Sequence, residues 1–296
     1  MVKQLYKVSI VNTGDDVDTA VRESIALVGG LQLKPGQEVV VKPNICNPKN
    51  PGGMVITDFR VIKSVINMVK ENGNDITVVE SDNINDTADE RLKKSGLMKY
   101  LDKWDVPFLN LSHDDYEECQ VAGTTLRLPR TVLDADYFIN IPKIKTCAHT
   151  LVTLSIKNLY GVLQRPNKSK LHRKLDDILP FLAEKVRCDL VVMDGINCME
   201  GNGPVVGNRI CLNLILSSMN CVAMDTVCSK LMGYDASMIP HIALSSERGL
   251  GPIDLDKIIM VGEEWAQHYR EFERPYSLRA TLKSMKSIKD IYLSHI

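Results

Sequence analysis

The chain of 296 residues lacks any apolar run of about 18 residues, so nothing in it reads as a membrane-spanning helix. It also lacks a surplus of either charge. With 36 basic and 37 acidic residues there is no global field to draw in nucleic acid or an anionic membrane. Eight cysteines, at positions 46, 119, 147, 188, 198, 211, 221 and 228, include no C-x-x-C pair, which excludes the closely spaced segments that hold iron–sulfur clusters. Most of them sit in apolar surroundings typical of reduced core thiols. A G-x-G-x-x-G turn opening a helix and a P-loop are both absent, so nucleotide binding by those two mechanisms has no support. The opening MVKQLYKVSIVN alternates like a strand and has no signal-peptide core, so a reducing cytoplasm is the expected compartment. No internal repeat or low-complexity linker divides the chain.

What is present is an alternation of β-branched runs with helical periodicity, which predicts an α/β fold: a mainly parallel sheet flanked by helices. Strands are expected at Glu38–Lys42, Ile76–Glu80, Tyr137–Ile141, Leu190–Asp194 and Leu212–Leu216, each apolar enough to be buried on both faces. Between the first two, Phe59, Ile62, Val65, Ile66 and Val69 follow helical spacing, with Thr57 or Asp58 as cap and Gly73 as terminator. Further helices are expected at Thr87–Ser95, Leu151–Tyr160, Lys174–Val186 and Cys221–Leu231. A small antiparallel hairpin lobe is expected near 111–130, closed by Ala-Gly-Thr. Residues 1–262 read as one α/β domain and 263–296 as a helical, basic extension carrying Arg274, Arg279, Lys283, Lys286 and Lys289. That extension either packs on its own domain or docks on a second copy or another protein.

In an open parallel sheet, ligands bind beyond the carboxyl ends of the strands. Three of the predicted strands run into polar segments there: PNICNPKNPGGMVIT, PKIKTCAHT and GINCMEGNGPVVGNR. The first is well above the usual two to six residues of such a loop, a length that points to function. Lys42 closes one strand. Lys143 and Lys145 alternate as strand residues do, so they point the same way. Thr150, Thr153 and Lys157 share a helical stripe, and a helix starting near Thr150 aims its positive end at the same place. Such a gathering of cations suits an anion, whether phosphate, carboxylate or developing enolate. Crowded lysines also depress one another's pKa, which creates a base or an imine-forming amine. The ordinary alternative is a set of surface lysines snorkelling at strand ends. His149 is placed to shuttle a proton. Cys147 and His149 are only weak candidates for a metal, since no H-x-H or H-E-x-x-H spacing supports one. Glu200 is a candidate acid or base, and Gly201 and Gly203 permit close backbone approach to an anion.

The strings VVVKPNICNPKNPGG, INIPKIKTCAHTLVTLSIKNLYGVL, Lys170-x-His172, DGINCMEGNGPVVG and CVAMDTVCSKLMG resemble, in order, the signatures of the domain-of-unknown-function 362 family. The resemblance runs over roughly residues 5–262. It implies an α/β fold and marks Lys42, Pro43, Asn44, Lys143, Lys145, Lys157, Asn158, His172, Glu200, Gly201, Gly203 and Asp225. Many members of the family carry an appended ferredoxin-like segment with four-cysteine clusters; the present sequence has none. Where the family usually has a histidine after the PKIK-type motif, this chain has Cys147, with His149 two residues on.

These readings converge on an enzyme acting on a small anionic metabolite or biosynthetic intermediate by lysine-assisted acid/base chemistry. Lys42, Asn44, Lys143, Lys145, Asn158, His172, Gly201 and Gly203 are expected to bind, and Lys157, His149 and Glu200 to catalyse. Two other classes remain open: a redox protein holding a flavin or iron–sulfur cluster near Cys46, Cys147 and Cys198, and a non-enzymatic binding or scaffold protein.

Overall fold

The computed structural model describes residues 5–84, 86–164 and 168–278. Its first half alternates strand and helix. Strand β1 (Tyr6–Asn12) leads to α1 (Val17–Leu27), β2 (Glu38–Pro43), α2 (Phe59–Glu71) and β3 (Asp75–Glu80). Asp58 caps α2 by accepting from the Arg60 amide, and the helix buries Val61, Ile62, Val65, Ile66 and Val69 completely. Burying each of these side chains is worth about 1.5–3 kcal/mol, which is why the spacing of apolar residues located the helix so well. Next come α3 (Ala88–Ser95), capped by Thr87, then α4 (Leu97–Lys103) and β4 (Phe108–Asn110).

Strands β5 (Tyr116–Val121) and β6 (Thr124–Pro129) form the expected small hairpin as a separate two-stranded sheet. Both turn residues, Ala122 and Gly123, have positive φ, the geometry that matches the twist of two antiparallel strands. A turn of helix, α5 (Arg130–Leu133), precedes β7 (Tyr137–Ile141), β8 (Lys143–Cys147) and β9 (Leu151–Thr153). After them follow α6 (Ser155–Asn158), α7 (Leu175–Lys185), β10 (Leu190–Glu200), β11 (Asn208–Ser218), α8 (Cys221–Leu231), α9 (Pro240–Glu247), β12 (Ile258–Gly262) and α10 (Trp265–His268).

The main sheet runs β12-β1-β11-β10-β7-β2-β3-β4, with β8 paired to β10 and β9 paired to β8. Pairing is parallel from β10 through β4. Strand β11, which contains the expected Leu212–Leu216 run, is antiparallel to both β10 and β1. Alternate strand residues feed two cores. Val39 and Val41 pack with α1 and α2 on one face, and Val40 packs with α7 and α8 on the other. Among the described residues no helix is long and apolar enough to cross a membrane.

Two local expectations change. The segment 151–160 is not one helix: Leu151–Thr153 pairs with Lys145–Cys147, and α6 starts only at Ser155. The β-branched Val152 and Thr153 favour the strand, and Asp225 fixes the later start by accepting from the amides of Ser155 and Ile156. The segments PKIKTCAHT and GINCMEG are likewise strand rather than loop, because β8 extends alongside a long, bulged β10. Past Gly262 the chain packs on the domain as far as residue 278. The amides of Arg270 and Phe272 donate to the carbonyls of Leu231 and Met232, and the Glu273 amide donates to the Glu200 carboxylate. The expected basic residues Arg279, Lys283, Lys286 and Lys289 lie outside the described residues.

Candidate active site

Beyond the carboxyl ends of β2, β3 and β7 lies a cavity of about 390 Å³. Lys42 and Glu80, near the ends of adjacent parallel strands, form a buried ion pair of 3.1 Å in its wall. The same ammonium donates to the Pro43 carbonyl, and Asn158 Oδ1 lies 3.4 Å away. Asn44 Nδ2 donates to Asn158 Oδ1 at 2.9 Å, and Lys145 Nζ donates to Asn44 Oδ1 at 2.8 Å and the Val55 carbonyl at 2.7 Å. Lys145 Nζ also lies 3.3 Å from Cys46 Sγ. Amide, amine and carbonyl groups thus form one continuous floor.

Gly161 lies close above the ion pair. A Cβ there would meet Lys42 Nζ at 2.5 Å and Glu80 Oε1 at 2.8 Å, so the ends of both side chains would have to shift to admit one. The helix carrying Lys157 and Asn158 is fixed by Asp225, which is fully buried. Burial raises this carboxyl to about 7 against the opposing hydrogen bonds from Ser155 and Ile156.

Among the described residues, Lys42, Arg91, Lys145, Lys157 and Lys168 line the cavity with Glu80 as the one carboxylate. Only Lys42 among these cations has a carboxylate within ion-pair reach. Arg91 is 1% exposed; it donates to the Ser81 carbonyl, and its Nε has no hydrogen-bond partner. Lys168 donates to Ser81 Oγ. Lys157 makes no hydrogen bond or ion pair among the described residues and sits 4.3 Å from the Tyr160 ring. Thr153 Oγ1, also in the wall, is buried without a partner.

Taking cations out of water disfavours their charged form. Burial pushes Lys168 down to about 7, aided by Arg91, Lys42 and Lys157 and opposed by Glu80. Burial likewise lowers Lys42, Lys145 and Lys157. For Cys147 burial acts upward, but Lys157 and hydrogen bonds around Thr150 outweigh it and hold the thiol below its usual value. His149 and His172 stack with ring centroids 4.2 Å apart. Burial, then the neighbouring His149 and Lys157, carries His172 down to about 4, and burial also lowers His149.

The structure therefore brings together seven of the residues singled out in the sequence: Lys42, Asn44, Lys145, Lys157, Asn158, His149 and His172. Four others lie elsewhere. Lys143 points the same way as Lys145 but is fully buried in a 2.7 Å ion pair with Asp194, whose carboxylate also accepts from the Asp58 amide. Glu200 accepts from the Glu273 amide and does not line the cavity. Gly201 and Gly203 hold the hairpin against β8. The Gly201 carbonyl accepts from Thr146, and a Cβ on Gly203 would collide with the Thr146 carbonyl at 2.0 Å. Asn202, between them, does line the cavity.

Sequence reasoning missed Glu80, Arg91, Lys168 and Tyr160. Glu80 had a signal, since it ends a strand just as Lys42 does. Arg91 and Lys168 lie in the charged stretches TADERLKKS and NKSKLHRK, where composition gives no signal of burial. Cys147 and His149 share the cavity, and among the described residues no three His, Cys, Asp or Glu side chains are grouped to hold a metal ion.

A family model described as a domain of unknown function, DUF362, matches residues 39–230. The thylakoid-associated protein sll1697 of Synechocystis is 29% identical over 242 residues, covering 79% of this chain and 75% of that protein. Among solved structures, a Thermotoga maritima protein aligns with a TM-score of 0.42 and 13% identity, over 78% of this chain and 59% of that one. The lactate racemase apoprotein of Thermoanaerobacterium thermosaccharolyticum aligns with a TM-score of 0.36 and 11% identity, over 65% of this chain and 50% of that one. The chain thus spans less than two thirds of either solved structure.

Proposed function

The chain belongs to the DUF362 family, and from that premise we propose that it is a cytoplasmic enzyme acting on a small carboxylate or phosphate compound. The substrate's anion enters the cavity, and lysine-assisted acid/base chemistry moves a proton on it. One observation carries this reading: Arg91, Lys157 and Lys168 face a cavity of about 390 Å³ without a carboxylate partner among the described residues. Arg91, Lys42 and Lys157 each disfavour the charge on Lys168, so mutual repulsion of the cations favours an anion among them. Arg91 and Lys168 hold the anion. Lys157, lowered by burial, accepts the proton. His149, exposed at the cavity, exchanges that proton with water. Glu80, tied to Lys42, keeps the floor from becoming wholly cationic. A cytoplasmic location accords with eight free thiols.

The test is thermal unfolding of the full chain with phosphate, pyrophosphate and a series of mono- and dicarboxylates. A ligand at one hundred times its Kd stabilises the fold by about 2.7 kcal/mol. At least one of these anions is expected to raise the Tm of the wild type, and Arg91→Gln and Lys168→Met are expected to erase the rise. A rise that survives both substitutions sinks the proposal, and so does the absence of stabilisation by every anion tried.

A further inference from the structure

The cavity presents one amine that neither the anion seat nor the floor uses. Lys42 is held by Glu80, Lys145 by Asn44 and the Val55 carbonyl, and Lys168 by Ser81. Lys157 alone among these lysines has no hydrogen-bond acceptor among the described residues, and its Nζ stands over the Tyr160 ring with the cavity open to it. Its backbone does not drift, because Asp225 pins the start of α6 and Asn158 is tied to both Asn44 and Asn140. Pro204, Val205 and Val206 add an apolar patch to the cavity lining. An amine fixed in place, with free access and cations around it, is built to attack a carbonyl carbon rather than to hold a carboxylate.

Resting on the anion-binding reading above, we infer that the cavity takes a 2-oxo acid, whose carboxylate Arg91 and Lys168 seat and whose carbonyl carbon condenses with Lys157 Nζ. The Nζ lone pair forms the C–N bond while the carbonyl π pair moves to oxygen, which takes up a proton. The resulting hydroxyl takes a second proton and leaves as water as the nitrogen lone pair forms C=N, and the two protons that oxygen gains balance the two that the amine gives up, exchanged through His149 or solvent. Amine and carbonyl become imine and water, with no change in oxidation state. Partial burial loosens the hold of half-buried Lys157 on its proton, which favours the free amine that attacks.

The experiment traps the imine. Full-length protein is incubated with pyruvate, 2-oxoglutarate or phenylpyruvate plus sodium cyanoborohydride, and the adduct is located by peptide mass mapping. Acetone serves as the carbonyl without a carboxylate. The expected result is one adduct, on Lys157, formed at least ~tenfold faster than on any exposed lysine, since the anion seat holds the carbonyl against this amine. Phosphate should slow it, Arg91→Gln should slow it, acetone should give little of it, and Lys157→Arg should abolish it. If Lys157→Arg does not fold, the wild-type map decides alone. No adduct with any of the three acids, or labelling no faster at Lys157 than at surface lysines, overturns the inference. Anions that stabilise the protein without any adduct leave the anion-binding reading standing and remove only the imine.

Discussion

At the scale of single residues, Lys143 and Lys157 resemble each other in sequence and oppose each other in energetics. Both sit in the same cationic stretch, yet Lys143 is paired with Asp194 at 2.7 Å while Lys157 has no carboxylate. Removing one partner of a buried pair leaves an uncompensated charge and costs about 3–5 kcal/mol. Lys143→Met is therefore expected to lower unfolding free energy by about that amount in chemical denaturation. Lys157→Met, which deletes a partly desolvated and unpaired amine, is expected to leave stability unchanged or raised. Equal effects of the two substitutions on stability would contradict the assignment of one lysine to structure and the other to the site.

The decisive element is α6, a four-residue turn of helix that holds Lys157 and Asn158 in place. It is too short to be stable by itself, because helix nucleation is unfavourable and isolated helices below about 12–15 residues are marginal. Asp225 on α8 supplies what propensity does not, accepting from the Ser155 and Ile156 amides and from Ser155 Oγ. Asp225→Ala leaves these donors buried, at about 1–3 kcal/mol for each unsatisfied group. The expected outcome is a lower denaturation midpoint together with weaker anion binding by calorimetry. Gly161, just after α6, works from the other side. Gly161→Ala forces the ends of Lys42 and Glu80 to shift in a buried site, and overpacking of this kind costs about 1–3 kcal/mol. A denaturation midpoint equal to wild type would contradict the close approach seen there.

For the molecule as a whole, the lysine cluster couples stability, ligand and pH. Lys168 is near 7 when folded, whereas a lysine in the unfolded chain titrates at about 10.4. Between those values the unfolded state binds the proton and the ligand-free folded state does not. This group therefore makes stability rise with pH across that window, and contributes no slope below it. A bound anion keeps Lys168 protonated, so binding above pH 7 takes up a proton. Affinity is expected to weaken as pH rises above 7, by no more than ~tenfold per unit for this one group. Calorimetric titrations in buffers of different ionisation enthalpy measure that uptake directly. Affinity independent of pH above 7 would remove Lys168 from the anion seat.

Much of this architecture was legible in the sequence. The helices at 59–71 and 221–231 and the strands ending in Lys42 and Glu80 follow from apolar spacing, β-branched runs and caps, which are local and period-bound. The rule that ligands lie beyond strand carboxyl ends then brought Lys42, Asn44, Lys145, Lys157 and Asn158 to one place. Other assignments were not legible, because they depend on partners distant in sequence. Lys143 is taken by Asp194, 51 residues away, and Lys42 by Glu80, 38 residues away. Residues 151–153 became a strand because β8 lay beside them, and Glu200 was drawn away from the cavity by the chain near Glu273. Arg91 and Lys168 entered the wall although their segments are polar, because burial of a charge is set by what folds over it. By itself the sequence determined the elements and the supply of cations at one sheet edge. Only the tertiary structure decided which of those charges are neutralised and which are left facing the cavity, since ion pairing and desolvation act through space.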